Sequence, residues 1–214
     1  MRIKEEGRKV KEKVRERASV LIIAKALSDI FRPTYYPLVG FLILLTLTYL
    51  AQLPWLFKFG ILLLVYIFTI FIPAMGVYLY RYSRKLSPQD LLLQKNRIVP
   101  YILHILSYGM LLYYLRSLHT PIFVGAIIVI SLLVQVSCTL ITLWWKISMH
   151  SAGTGAIIGT LVVYSAIFHF NPVWWLCAAI LVSGLVNSSR MLLRQHTLGQ
   201  VLGGTFVGFS CGLA

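Results

Sequence analysis

Polar residues able to bind or transfer a phosphoryl group are concentrated in a few short segments between long apolar runs. They are Lys95, Arg97, Lys146, Ser148, His150, Arg190, His196 and Gln200. These segments offer several cations, two imidazoles and a hydroxyl, with almost no acidic group to balance them. Unbalanced cations in a partly buried site are unfavourable, so we expect an anion with several oxygens, such as a phosphate, to bind among them.

Carboxylates are too scarce in this chain for several kinds of chemistry. The 214 residues include 20 Lys and Arg but only 6 Asp and Glu, and after residue 30 only Asp90 is acidic. Hydrolysis by paired carboxylates, calcium binding and two-metal catalysis each need more acidic groups, so these functions are excluded. The three cysteines lie within apolar runs and indicate neither disulfides nor a thiolate metal site, and we expect no metal or cofactor.

His196 and Gln200 form a local pair with a definite expected geometry. They are four residues apart in the sequence, so a helix places both side chains on one face. The Gln carbonyl can then accept a hydrogen bond from one ring nitrogen of His196, which directs the other nitrogen toward the site.

His150 opens an apolar run whose first turn consists of small residues, SAGTG. The free backbone N–H groups and the positive dipole end of such a helix favour an anion. Ser148 is expected either to cap this helix or to donate to a phosphate. The glycines also have a second interpretation, because Gly153, Gly155 and Gly159 would let a neighbouring helix approach closely.

The elements that must position these residues are long apolar runs. Hydrophobic residues make up 58% of the chain and charged residues 12%, half the usual charged content of a soluble protein. A helix needs about 20 apolar residues to cross a bilayer, and continuous runs exclude the alternation of a β-barrel. We therefore predict an all-α polytopic membrane protein, a bundle of six to seven transmembrane helices in which the sixth run is short. The runs cover residues 35–53, 59–80, 98–115, 121–143, 149–169, 172–187 and 197–214.

Residues 1–34 are predicted to form a basic cytoplasmic amino-terminal segment, and residues 35–214 the transmembrane bundle. Eight Lys or Arg and four Glu fall within residues 1–17, a pattern typical either of a helix on an anionic leaflet or of a frayed basic tail. Nearly all other basic residues fall on the same side of the runs, so the positive-inside rule predicts a cytoplasmic amino terminus and site. The net charge of +14 then indicates the anionic bilayer, and no nucleic acid, as the partner, in a bacterial inner membrane.

The polar segments also carry short motifs. Ser189-Arg190, five further residues and His196 read SRxxxxxH, and Ile147-Ser148-Met149-His150 precedes them. The first motif matches the start of SRxxxxxHxxxD, the third signature of the type 2 phosphatidic acid phosphatase superfamily of membrane lipid phosphate phosphatases, and the second resembles its PSGH signature. The remaining signature, KxxxxxxRP, is matched in residue types at a different spacing by Lys95, Arg97 and Pro100. The resemblance covers about residues 90 to 214, with the signatures within residues 90–200.

The resemblance implies a metal-independent phosphatase that acts on a lipid phosphate or diphosphate through a phosphohistidine. It implies that His196 is the nucleophile and that His150 protonates the leaving oxygen of the lipid. The phosphoryl oxygens would be held by Arg190, Lys95, Arg97 and Ser148, and Lys146 would add a ligand outside the family pattern. Substrates of this class are phosphatidic acid, phosphatidylglycerol phosphate and isoprenyl diphosphates.

One departure from the family pattern leaves a second function open. Gln200 stands where the family has the Asp that orients and charges its nucleophilic His. Gln can fix a tautomer but cannot stabilise an imidazolium by charge, so the alternative is a weakened relative that binds or transports phospholipid. A third interpretation is a haem-binding membrane cytochrome, because five histidines lie in or beside the runs. They are His104, His119, His150, His169 and His196.

Overall fold

The computed structural model describes residues 2–47, 49–85, 98–118, 120, 122–169 and 171–214, and every regular element in these ranges is a helix. The predicted all-α class is confirmed for this part of the chain. In chain order the α-helices are α1 (Arg2–Ile30), α2 (Tyr36–Leu47), α3 (Trp55–Tyr66), α4 (Ile72–Arg84), α5 (Ile98–Ser117), α6 (Ile122–Trp144), α7 (Met149–Phe168), α8 (Val173–Leu192) and α9 (Leu198–Leu213). Two short 3-10 helices, Pro33–Tyr35 and Tyr49–Gln52, flank α2.

Helices α3 and α4 form one continuous helix, Trp55–Arg84, joined by a π-helical turn at Ile67–Phe71. Pro73 follows this turn closely, and it lacks a backbone N–H while its ring crowds the carbonyl one turn earlier. A wider turn beside a proline relieves that crowding. The Ser107 hydroxyl on α5 donates to the carbonyl of Phe68 within the turn, which ties the irregular segment to its neighbour.

Five helices within the described ranges are long and apolar enough to cross a membrane, as in an integral membrane protein. The expectation of six to seven spans is not met. The run at residues 35–53 forms α2, with 12 residues, and a separate 3-10 helix. The last run forms α9, with 16 residues. At about 1.5 Å per residue neither helix alone reaches the roughly 30 Å of a bilayer core. The five are Trp55–Arg84, Ile98–Ser117, Val124–Trp144, Met149–Ile167 and Val173–Leu192.

The sixth apolar run was expected to be short, and the structure corrects that expectation. Helix α8 spans Val173–Leu192, a full 20 residues. The polar residues Asn187 and Arg190 continue the helix instead of ending it, because their side chains find partners on neighbouring helices. Arg190 therefore belongs to the last turn of a complete span.

Apolar side chains form two buried clusters. The larger joins α2, α3, α5 and α6, and Phe41, Leu111 and Ile128 are fully buried within it. The smaller joins α6, α7 and α9 around Cys138 and Ala152. Helix α6 contributes to both clusters and so connects the two halves of the bundle. The polar segments lie in the half built from α7, α8 and α9.

The amino-terminal segment is helical and not a frayed tail, and its position on an anionic leaflet stays a prediction. Helix α1 spans Arg2–Ile30 and packs along α8. Helical structure is interrupted at Arg32, whose backbone is extended. Pro33 then begins the 3-10 helix that leads into α2. The break is expected, because proline disfavours helical backbone in the residue before it.

Candidate functional site

Helices α7 and α9 lie in direct backbone contact, and this contact positions two of the polar segments. A methyl group added at Gly208 of α9 would overlap the carbonyl of Ala152 on α7, and one at Gly204 would lie 2.6 Å from the carbonyl oxygen of Ser148. Gly155 and Gly159 of α7 likewise meet the backbone of α9. The close-packing interpretation of these two glycines is therefore correct, as expected for small-residue packing between membrane helices.

Gly153 has a different neighbour. The ring of Tyr36, at the start of α2, lies directly against it. The Tyr36 hydroxyl donates to the carbonyl of Phe31 at 3.0 Å, just after the end of α1. The first turn of α7 is thus covered by side chains and backbone from the amino-terminal part of the chain.

Ser148 is the N-cap of α7, as one of its two predicted roles requires. Its side-chain oxygen accepts from the Ser151 backbone N–H at 3.4 Å and from the Ser151 hydroxyl at 2.8 Å. Its own backbone N–H donates to the carbonyl oxygen of Gln200 at 3.3 Å. Ser148 is fully buried, so the cap also joins the start of α7 to the start of α9.

Between Arg190 and His196 the chain leaves α8 and turns back toward the bundle through a regular helix-ending motif. The Gln195 N–H donates to the carbonyl of Arg190, and the Arg194 N–H donates to that of Met191, which together form a Schellman motif. Arg194 takes the left-handed conformation that this motif requires, with φ 52°. The reversal brings the last turn of α8 and the start of α9 to the same end of the bundle.

His196 is held by Gln200, although it precedes α9 instead of lying on it. The helix begins at Leu198 with Thr197 as its N-cap, so the expected placement of His196 on a helical face is wrong. The expected hydrogen bond is nevertheless present, with Nδ1 of His196 3.2 Å from Oε1 of Gln200. The Thr197 N–H donates to the same oxygen at 3.2 Å, completing a capping box.

Helix α1 supplies a residue to the same end of the bundle. The Oγ of Ser28 accepts a hydrogen bond from Nη1 of Arg190 at 2.7 Å, between residues 162 positions apart in the sequence. The backbone of Ser28 interacts with the His150 side chain. Ser28 is 5% exposed, so it lies inside the site and not at its rim.

Together these contacts gather the polar segments at one end of α7, α8 and α9. The imidazole of His150 lies within electrostatic range of Arg190 and His196. Arg190 is 9% exposed and His196 8% exposed. A guanidinium, two imidazoles and a helix N-terminus therefore share one enclosed region, the arrangement that phosphate oxygens favour.

An ion pair stands beside this region, between the end of α1 and the break that follows it. The guanidinium of Arg32 donates to the carboxylate of Asp29 at 2.7 Å, and this hydrogen bond holds the pKa of Asp29 below its usual value. Asp29 also lies within electrostatic range of His150. Arg32 interacts with His150 over a similar range.

The other predicted ligands are only partly placed. Lys146 is half-buried in the turn between α6 and α7, close in sequence to Ser148. Lys95 and Arg97 lie outside the described residues. Their membership of the site therefore remains a sequence-based prediction.

Two groups of residues in or below the site escaped the sequence analysis. One is Ser28 of α1, whose signal is a Ser-Asp pair in an otherwise apolar stretch. The other is a polar layer one to two turns into the bundle, where the hydroxyls of Thr154 and Ser183 lie 3.0 Å apart. The Asn187 amide in this layer donates to the Thr205 hydroxyl at 3.2 Å. Isolated Ser, Thr and Asn residues in apolar runs give little sign of such pairing.

Two of the remaining histidines, His104 and His169, have surroundings of their own. Nδ1 of His104 lies 2.8 Å from the carbonyl oxygen of Pro100 in its own helix α5, and its ring meets Tyr108 edge-on. His169 ends α7 in a left-handed conformation and is exposed. His119 lies outside the described residues. Within the part of the chain that is described, no three His, Cys, Asp or Glu residues could hold a metal ion together.

No family model, no curated protein and no solved structure matches the chain.

Proposed function

We propose that the protein is an integral-membrane lipid phosphate phosphatase that works through a phosphohistidine intermediate. The observation that carries the proposal is the convergence of Arg190, His150 and His196 from three separate segments into one enclosed region. These are the residues that the resemblance to type 2 phosphatidic acid phosphatases assigns to catalysis. The site would face the cytoplasm of a bacterial cell, as the distribution of basic residues predicts.

The hydrogen bonds of Gln200 support the role given to His196. A backbone N–H can only donate, so the oxygen that accepts from Thr197 is the carbonyl of the Gln200 amide. The ring nitrogen that lies 3.2 Å from the same oxygen must then carry the proton, which makes Nδ1 the donor. The lone pair of His196 is thereby left on Nε2, the nitrogen that would attack phosphorus.

The proposed reaction proceeds in two displacements. In the first, Nε2 of His196 forms a bond to phosphorus while the bond from phosphorus to the lipid oxygen breaks, and that oxygen takes a proton from His150. In the second, a water oxygen forms a bond to phosphorus and gives a proton back to His150 while the bond from phosphorus to Nε2 of His196 breaks, which releases inorganic phosphate. Arg190 and the first-turn N–H groups of α7 would stabilise the charge on the phosphoryl oxygens in both steps, which is the main requirement of phosphoryl transfer.

The substrate class follows from the position of the site. The site lies at one end of helices long enough to cross a bilayer, so an acyl or prenyl chain would remain among apolar side chains while its headgroup enters. Phosphatidic acid, phosphatidylglycerol phosphate and isoprenyl diphosphates share this layout. Apolar helix surfaces discriminate poorly among such chains, so the phosphate is the feature being recognised.

Gln200 also supports a second candidate, a weakened relative that binds or transports phospholipid. The carbonyl of Gln200 holds His196 in place but carries no charge to stabilise an imidazolium. Loss of the analogous carboxylate in a serine protease slows the reaction about 10⁴-fold. A site that keeps its anion-binding groups and lacks this charge can bind phosphate without releasing it quickly.

Phosphate release from the purified protein tests the proposal. The panel consists of phosphatidic acid, phosphatidylglycerol phosphate and a prenyl diphosphate, with the wild type and the variants His196→Ala and Gln200→Asp. We expect His196→Ala to abolish release and Gln200→Asp to raise it. His169→Ala, at the exposed end of α7, is the matched control and should release phosphate like the wild type.

The outcomes separate the two candidates. Release that survives His196→Ala would contradict the phosphohistidine mechanism. Absence of release from every substrate, together with saturable binding of the same lipids, would favour the binding or transport role.

A further inference from the structure

We propose that the carboxyl-terminal end of α1 is a lid over the site, closed in this structure, with Ser28 in the place of a phosphoryl group. The inference rests on the proposed function, because it names what controls access to that site. It concerns a segment outside the region that resembles the phosphatase signatures.

The contacts of Ser28 are the first argument. Its hydroxyl accepts from Arg190 at 2.7 Å, and its backbone interacts with the side chain of His150. Arg190 and His150 come from different helices, and both must contact the substrate if they bind the phosphoryl oxygens and protonate the leaving group. A single residue of α1 now occupies a hydrogen-bonding position on Arg190 and lies against His150, so we expect it to withdraw when the substrate binds.

The charges at the end of α1 are the second argument. The Asp29 carboxylate stands next to Ser28 and within electrostatic range of His150. Asp29 is paired with Arg32, so the closed lid presents a hydroxyl oxygen to the guanidinium of Arg190 and an ion pair within electrostatic range of the imidazole. An anionic headgroup would offer its oxygens to the same guanidinium, so the lid and the substrate compete for Arg190.

The narrow docking face of α1 is the third argument. Ala24 and Ser28 are 3% and 5% exposed, one helical turn apart on the side toward α8. Ile22, Ile23 and Ile30 are 69%, 59% and 64% exposed. Because so few of its described side chains are buried in the bundle, α1 can leave without opening either apolar cluster.

The break after α1 supplies a hinge for this movement. Helical hydrogen bonding from α1 ends with the Phe31 N–H, which donates to the carbonyl of Leu27. Arg32 is extended, and Pro33 begins a separate 3-10 helix. Rotation about the backbone of Arg32 would swing α1 away while α2 keeps its contacts with α3 and α6.

Hydrogen exchange of the full-length protein in lipid nanodiscs tests the lid without requiring turnover. We would measure backbone exchange in residues 24–32, with and without orthovanadate as a phosphate analogue. Orthovanadate should displace Ser28 and accelerate exchange in these residues.

The variant Ser28→Ala removes the hydroxyl that accepts a hydrogen bond from the Arg190 guanidinium. It should therefore accelerate the same exchange about 10-fold without any ligand.

Ser19→Ala is the matched control. Ser19 lies on the same helix, is exposed, and bonds only within α1, to the carbonyl of Arg15. The control should leave lid exchange and phosphate release unchanged. Under the lid model Ser28→Ala should lower the KM for the lipid phosphate several-fold at a similar kcat, because the competing group is weakened.

Two results would overturn the lid. One is unchanged exchange in residues 24–32 both in Ser28→Ala and with orthovanadate. The other is a Ser28→Ala variant with lower kcat and unchanged exchange, which would make Ser28 a positioning residue for Arg190. If lid exchange responds as expected but no variant releases phosphate, the lid stands and the phosphatase proposal fails.

Discussion

Nδ1 of His196 and the backbone N–H of Thr197 both point to one oxygen, Oε1 of Gln200, each at 3.2 Å. The same side chain therefore caps α9 and sets the tautomer of the proposed nucleophile. Since the backbone carbonyl of Gln200 accepts from the Ser148 N–H, this one residue also links the starts of α7 and α9. A substitution at Gln200 would therefore change both the cap of α9 and the hydrogen bond to the proposed nucleophile.

This double role makes Gln200→Glu a sharper variant than Gln200→Asp. Glu has the length of Gln, so it keeps both hydrogen bonds and the capping box while adding the missing charge. We expect phosphate release to rise about 10-fold or more, because a carboxylate stabilises the imidazolium formed during the reaction. Glu should exceed Asp, which is one methylene shorter. The variant Gln200→Leu loses both hydrogen bonds, so it should release phosphate more slowly than the wild type. Equal rates of release for Gln200→Glu and Gln200→Leu would contradict this account.

The contact between α7 and α9 predicts a large difference between two glycines. A methyl group at Gly208 would overlap the carbonyl of Ala152, whereas one at Gly184 on α8 would meet no atom within 4 Å. Gly208→Ala should destabilise the protein by about 1–3 kcal/mol or more through overpacking. Gly184→Ala should be neutral or stabilising by up to about 1 kcal/mol, since Ala favours a helix. Thermal unfolding in detergent measures both, and similar melting temperatures would argue against backbone contact.

The Schellman motif between α8 and α9 predicts that Arg194 is under backbone strain. Its φ is 52°, which glycine adopts readily and other residues do not. Arg194→Gly should stabilise the protein by about 0.5–1 kcal/mol, the relief of strain being partly offset by the greater freedom of glycine when unfolded. Arg194→Ala removes the same charge but keeps Cβ, so it should give no such gain. A gain of equal size in both variants would point to charge and not to conformation.

The polar layer below the site predicts a modest energetic coupling between Thr154 and Ser183. Their hydroxyls lie 3.0 Å apart, and the residues are 2% and 5% exposed. A double-mutant cycle with Thr154→Val and Ser183→Ala should give about 0.6 kcal/mol of coupling in the free energy of unfolding, the average for such bonds between membrane helices. Ser165 bonds to the carbonyl of Val162 in its own helix. A control cycle that pairs Thr154→Val with Ser165→Ala should give no coupling in the free energy of unfolding.

The strongest sequence-based predictions concern short-range geometry and composition. The hydrogen bond between His196 and Gln200 could be predicted because a separation of four residues brings side chains together within one helical turn. The structure achieves it differently, with His196 just before α9 and Gln200 in its first turn. The helical class followed from the length and continuity of the apolar runs, which do not depend on how the helices pack.

The number of spans was overestimated because hydropathy does not register where a helix stops. The run at residues 35–53 is apolar throughout, yet α2 ends at Leu47 and a 3-10 helix follows. For the sixth run, in contrast, the length of the helix was underestimated. The polar residues after Val186 suggested an early end, but the partners of Asn187 and Arg190 on other helices keep them in α8.

The sequence by itself determined the helical class, the scarcity of carboxylates and the local pairing of His196 with Gln200, because each depends on composition or on neighbours along the chain. Only the tertiary structure decided that Gly155 and Gly159 meet the backbone of α9 and that Ser28 lies on Arg190. Ser28 and Arg190 are separated by 162 positions, and no periodicity connects them. Their contact exists because α1 docks on α8 with Ala24 and Ser28 buried, an outcome of packing that local spacing does not encode.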